Sequence, residues 1–181
     1  MIILSKPKSG LFAKTIGHRF LRLFCKNEER LIPGKEGHVT GGSPTALGKN
    51  ILRSMHVPTK TKRANYQAQH IIPVQVAKNH PIIKKIGMDI DHANNGIFLR
   101  IPDNSSSVNS RHLGFHSTYN NFVMHQLDQL NINHSVKQLM REVYGLQRNL
   151  TKLLRSGLPM YPNQGASEAL WSKHLKRITQ Q

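Results

Sequence analysis

From Val136 to about Leu154 the residues Leu139, Val143, Leu146 and Leu150 return every three or four positions. That period puts them on one face of an α-helix, whereas a strand would scatter them over both of its faces. Gly157 and Pro159 stop the helix. The same spacing recurs in Tyr119, Val123, Leu127 and Leu130, so another helix is expected from His116 to about Leu130. Leu170, Trp171, Leu175 and Ile178 mark a short last helix. Helices therefore dominate the second half of the chain.

The first half is mixed. Ser43-Pro44 reads as an N-cap followed by proline at the first helical position, and a helix from there to about Met55 would bury Leu47, Ile51 and Leu52. An extended stretch is expected from Tyr66 to Val76, then a short helix from Pro81 to Ile86 closed by Gly87. Asn94-Asn95-Gly96 reads as a tight turn into a strand, Gly96 to Leu99, and a polar loop follows from Asn104 to Asn109. The run Gly42…Gly48-Lys49 invites comparison with a phosphate-binding loop, but its glycines are too far apart and Asn50 stands where Ser or Thr is needed. Residues 1–42 are rich in basic residues, Gly and Pro, and only Leu11 to Phe24 shows helical spacing. The expected organisation is a basic arm or linker over 1–42 and one domain over 43–181, α+β in class and mostly helical.

Charge narrows the partners. Twenty-six Lys and Arg against 9 Asp and Glu give a net charge of +17, which attracts polyanions: nucleic acid, an anionic membrane face or an acidic protein. No run approaches the roughly 20 apolar residues of a membrane span, so stable membrane association is not expected. The basic stretch Leu11–Phe24 is the feature that would suit a lipid surface. Cys25 is the single cysteine, which excludes an internal disulfide and a thiolate zinc cage. Met1 to Leu4 is far shorter than a signal-peptide core, so no cleaved signal is expected.

Hydrolysing a phosphodiester at neutral pH needs a base for water, a cation for the charge developing on phosphorus and the leaving oxygen, and something to hold the base in its working tautomer. With 9 carboxylates, Asp89 and Asp91 close together among them, metal chemistry here has to lean on the 11 histidines. His70 directly precedes Ile71-Ile72-Pro73, where an extended segment stopped by proline presents the imidazole at a strand end. A side chain from the Asn95 turn could accept that ring's N–H or hold the backbone around it. His112 and His116 would share a face if their segment is helical, though Gly114 between them disfavours a continuous helix. Arg111, Lys84, Lys85 and Arg100 flank these segments as candidate phosphate contacts. His80, His92, His125 and His134 are expected to be structural or surface residues, and Tyr119 to pack.

Taken in order, a histidine before Ile-Ile-Pro, an Asn-Gly leading a strand, and His-x-x-x-His-x-x-Tyr resemble the AHH family of the HNH/endonuclease VII superfamily, the His-metal finger nucleases. Gly87-Met88-Asp89-Ile90-Asp91 and Gly157-Leu158-Pro159-Met160-Tyr161-Pro162 extend the likeness. It implies a ββα-metal finger embedded among several helices. It also implies His70 as general base, Asn95 as its support, and His112 and His116 as ligands of one divalent ion, Mg, Mn, Zn or Ni. Where the family's name records Ala-His-His, this chain has Ala68-Gln69-His70, so Gln69 falls on a ligand position with a poorer donor. Activity that needs neutral His70 should fall below about pH 6.

The expectation is thus a metal-dependent endonuclease acting on nucleic acid, DNA ahead of RNA, with little sequence preference. The resemblance further implies a bacterial toxin made in the cytoplasm, exported by a specialised system to act in a target cell, and countered by an acidic immunity protein. The alternative is a basic protein that binds nucleic acid without cutting it.

Overall fold

The computed structural model describes residues 30–101 and 116–180. The stretch Leu11–Phe24, the loop Asn104–Asn109, Arg111 and His112 lie outside the described residues. The compact unit begins at Leu31 rather than at Ser43, because Ile32 is fully buried in the core and Val39–Thr40 forms a strand, β1, against Met88–Asp89. The last part of the expected arm is therefore built into the domain.

After β1 come helix α1 (Pro44–Ser54), strand β2 (Tyr66–His70), two short helices α2 (Val74–Asn79) and α3 (Pro81–Ile86), strand β3 (Met88–Asp89) and strand β4 (Gly96–Arg100). Three longer helices follow: α4 (Ser117–Asp128), α5 (Val136–Arg155) and α6 (Glu168–Thr179). β1 and β3 pair in parallel, and β2 and β4 pair antiparallel with His70 opposite Gly96 and Tyr66 opposite Arg100. The fold is α+β and mostly helical, with the ββα unit β2–β4–α4 set among the other helices.

Local signals explain most of these elements. The Ser43 hydroxyl accepts from the Ala46 N–H at 3.3 Å and Pro44 opens α1, while Ser135 and Ser167 cap α5 and α6 in the same way. The apolar face of α5 (Leu139, Val143, Leu146, Leu150, Leu153, Leu154) is buried, each leucine contributing about 1.5–3 kcal/mol against exposure. Trp171 of α6 is fully buried, packs against Tyr119 of α4 with ring centroids 4.9 Å apart and planes tilted by 57°, and donates its indole N–H to Pro159 O at 2.8 Å. A smaller cluster joins Leu47 and Ile51 of α1 to Ala68 of β2, with Phe98 of β4 packed against it.

Three expectations change. The extended stretch stops at His70, and Val74 already begins α2, since Pro73 fits before a helix as well as within an extended run. Ala93–Asn95 forms a 3-10 turn, and Gly96 is extended at φ −129°, so no positive φ is used there. α4 starts at Ser117 with His116 at its N-cap, not inside the helix.

Candidate functional site

Strand β2 delivers two neighbouring side chains, Gln69 and His70, that are 3% and 5% exposed. Both line an open pocket of about 470 Å³, together with His116 and Asn120 from the start of α4, Pro44 from α1 and Val74 from α2.

His70 is held by a carboxylate. Its Nε2 lies 2.9 Å from Asp91 Oδ1. That carboxylate also accepts the backbone N–H groups of Gly42 (2.9 Å) and Ser43 (2.9 and 3.0 Å). Gly41 and Gly42 have φ of 84° and 117°, and a side chain on Gly41 would strike the carboxylate. The glycine pair thus forms a small nest of N–H groups around an anion. The anion is the protein's own Asp91 rather than a phosphate. Asn50 donates to Asp91 O at 2.8 Å and ties the same residue to α1. Burial alone would raise the Asp91 pKa, but the hydrogen bonds from His70, Ser43 and Gly42 outweigh it and hold Asp91 below the usual aspartate value. An ionised Asp91 requires a proton on His70 Nε2, leaving Nδ1 as the basic nitrogen. Burial holds the His70 pKa below its ordinary value even though Asp91 pulls it upward, so the ring is neutral at pH 7.

Asn95 holds the backbone around His70 and does not bond to its ring. Its Oδ1 accepts from Ile72 N at 2.8 Å and from Gln147 Nε2 at 3.0 Å; its Nδ2 donates to Ile72 O (3.2 Å) and Ile90 O (3.0 Å). Its own carbonyl accepts from Ile71 N at 2.8 Å. Asn95 is 1% exposed, and it fastens the exit of β2 to α5 and to the segment after β3. Of the two roles open to it, the structure selects backbone support, and the ring N–H goes to Asp91.

His116 sits between two amide oxygens. Its Nδ1 is 2.9 Å from Asn120 Oδ1 and its Nε2 is 3.1 Å from Gln69 Oε1. Both amides are oriented by their nitrogens, which donate to Gln75 Oε1 (3.2 Å) and His70 O (2.8 Å). Burial lowers the His116 pKa, so the neutral ring has one N–H for two facing oxygens. With that proton toward Asn120, the lone pairs of Nε2 and Gln69 Oε1 confront each other across the pocket wall.

Other expected contacts lie elsewhere. Lys85 donates its ammonium to the carbonyls of Ile132 (2.6 Å) and His134 (2.9 Å) and so braces α3 against the segment before α5. Lys84 is exposed in the last turn of α3. The Arg100 guanidinium lies 5.9 Å over the Tyr66 ring, at the opposite end of the β2–β4 pair from His70. None of these three lines the pocket. His80 and His92 cap turns through Nδ1, and His125 and His134 pair with Glu168 and Glu142. Tyr119 is buried, and burial pushes its phenol far above the ordinary value; its hydroxyl donates to Ile71 O at 2.7 Å. It packs, as expected.

A buried histidine–carboxylate pair thus stands beside an open pocket on a ββα unit. A family model described as a nuclease family of the HNH/ENDO VII superfamily with conserved AHH matches residues 52–150. The chain belongs to the AHH nuclease family. No curated protein and no solved structure matched the chain. The matched span contains β2, β4 and α4, and with them Ala68-Gln69-His70. Membership makes the chain a nuclease and nucleic acid its substrate.

Superfamily nucleases of this kind use a divalent ion, and the donor set can be tested for it. Among the described residues no three His, Cys, Asp or Glu side chains converge as a metal cluster. Two donors do converge. Ligand atoms about 2.0–2.2 Å from one ion, on neighbouring corners of its coordination sphere, stand about 2.8–3.6 Å apart. Gln69 Oε1 and His116 Nε2 already stand at 3.1 Å. An imidazole nitrogen beside an amide oxygen fits two positions on such an ion.

Asp91 is the residue sequence reasoning passed over. Its one signal was scarcity: a chain with 9 acidic residues places two of them within the segment leading to Asn95.

Proposed function

We propose that the chain is a metal-dependent endonuclease that hydrolyses phosphodiester bonds of nucleic acid, DNA in preference to RNA, with His70 as general base and Asp91 as the group that orients it. The observation that carries this reading is the hydrogen bond between His70 and Asp91 on the wall of the pocket that also holds Gln69 and His116.

The residues assign the steps. Water bound in the pocket gives a proton to His70 Nδ1 as its oxygen attacks phosphorus, and the bond from phosphorus to the 3′ oxygen breaks. Asp91 holds the tautomer in which Nδ1 is free to take that proton, and its charge stabilises the imidazolium that forms. Gln69 and His116 would hold the divalent ion, with His112 as a further expected ligand. When bound, that ion supplies a positive charge that stabilises the phosphorane and the departing oxygen. The toxin role and the acidic partner protein draw their support from the resemblance and from the charge of +17, which would steer an acidic partner toward the chain.

The test is plasmid nicking in Mg²⁺, Mn²⁺, Ni²⁺ or Zn²⁺, with EDTA and His70→Ala as controls. Cleavage that depends on both the metal and His70 is expected. Binding without cleavage in every metal overturns the mechanism and leaves a non-catalytic nucleic-acid-binding protein. The toxin role is tested separately by expressing the chain alone in a bacterial host: arrested growth is expected, and undisturbed growth and DNA dismiss it.

A further inference from the structure

The loop between α1 and β2 carries Thr59-Lys60-Thr61-Lys62-Arg63. These residues line a second open depression of about 480 Å³ that contains no carboxylate. It shares Pro44, Gln67 and Ala68 with the wall of the His70 pocket, so the two depressions adjoin over the start of α1 and the middle of β2. Lys60 and Lys62 are exposed, and neither meets a carboxylate among the described residues.

Arg63 fixes the base of this depression. Its guanidinium lies 5.3 Å over the Phe98 ring, and a methyl group added to Gly48 of α1 would collide with it. Glycine inside a helix costs about 1 kcal/mol relative to alanine, and the missing side chain at Gly48 leaves the room in which the Arg63 guanidinium lies. The loop is thereby held beside the site, with Lys60, Thr61 and Lys62 exposed.

We propose that this loop is a phosphate-binding shelf, along which the nucleic-acid strand leaves the His70 pocket, with Lys60 and Lys62 contacting its backbone. The proposal rests on the reading that the chain acts on nucleic acid. Lysine and hydroxyl contacts read charge and leave the bases unread, so the shelf grips strands irrespective of sequence. It replaces Lys84, Lys85 and Arg100 as the cationic contact region next to the pocket.

The test measures binding of short fluorescent duplex DNA, single-stranded DNA and RNA by anisotropy across a salt series, in EDTA so that nothing is cut. The full-length chain is compared with a Lys60→Ala/Lys62→Ala variant and with Lys173→Ala/Lys176→Ala on α6, which makes the same charge change elsewhere. Thermal melts check that all three are folded. The shelf variant should bind several-fold more weakly, with a slope of log affinity against log salt shallower by roughly 1.8 on duplex and 1.4 on single strands. The α6 variant should bind as the unaltered chain does. Equal loss in both variants, unchanged binding by the shelf variant, or no binding by any of the three overturns the proposal. If the unaltered chain binds through the shelf yet cuts in no metal, the mechanism fails and the shelf stands. If it cuts and the shelf variant binds normally, the shelf alone fails.

Discussion

Gln69 Oε1 faces His116 Nε2 at 3.1 Å in the pocket wall, and the two atoms have only lone pairs to offer each other when the His116 proton lies toward Asn120. Such a contact is poor as a hydrogen bond and suitable as two corners of a cation site. Replacing the amide by imidazole should strengthen it. Gln69→His is expected to raise affinity for Zn²⁺ or Ni²⁺ on the order of tenfold, about 1.4 kcal/mol, measured by calorimetric titration. Unchanged affinity would remove Gln69 from the ligand set.

Asp91→Asn keeps the shape of the side chain and removes its charge. The maximal cleavage rate should fall on the order of 10²–10⁴-fold with little change in KM, because the base is mis-oriented and the substrate contacts are not. Asp91 raises the basicity of His70, so the acid limb of the rate profile should also move to lower pH. A role confined to stability would leave that limb in place.

The pH dependence of the intact chain follows from burial. His70 and His116 both have pKa values held below the ordinary histidine value. His70 therefore stays neutral further into acid than an exposed histidine, and the acid limb of cleavage should lie below the ordinary histidine pKa of about 6.5. The unfolded chain binds these protons more readily than the folded one. Stability is thus retained above about pH 6.5 and declines as pH falls through that value toward the lowered folded values. Thermal melts between pH 5 and 8 check the sign: a midpoint that rises on acidification in this window would contradict it.

Asn95→Ala strips partners from Ile72, Ile90 and Gln147, all inside the domain. A buried group left unpaired costs about 1–3 kcal/mol, and denaturant titration should show a loss of at least that size. Asn95→Asp, which sets a buried carboxylate oxygen against the Ile72 and Ile90 carbonyls, should cost at least as much.

Trp171→Ala should cost about 3–5 kcal/mol, because α6 reaches the core chiefly through this indole and its bond to Pro159. Denaturant unfolding monitored by far-UV circular dichroism is the measurement.

Helices α1 and α5 were readable from residues alone, since a serine cap, a proline at the first turn and a 3.6-residue apolar period are all local signals. His70 was readable as a strand-end histidine for the same reason. Its partner was not, because the Asp91 bond spans 21 residues and exists only once β3 and the start of α1 converge. Lys84, Lys85 and Arg100 stand off the pocket, because nearness in sequence to the motif says little of nearness in space. Lys85 turns its ammonium onto two carbonyls that lie 47 and 49 residues further along the chain. The apolar period starts a helix at His116, and the helix begins one residue later with His116 as its N-cap, where the ring meets Gln69.

The groups that hold the Asp91 carboxylate, Gly42 and Ser43, and the Asn50 amide that holds its backbone all precede residue 52, where the family match begins. A recombinant fragment trimmed to the matched span would keep its histidines yet lose the clamp that aligns the base. The smallest transplantable cutting module therefore extends upstream at least to the glycine pair, and a graft that respects only the recognisable motif would deliver an inert scaffold.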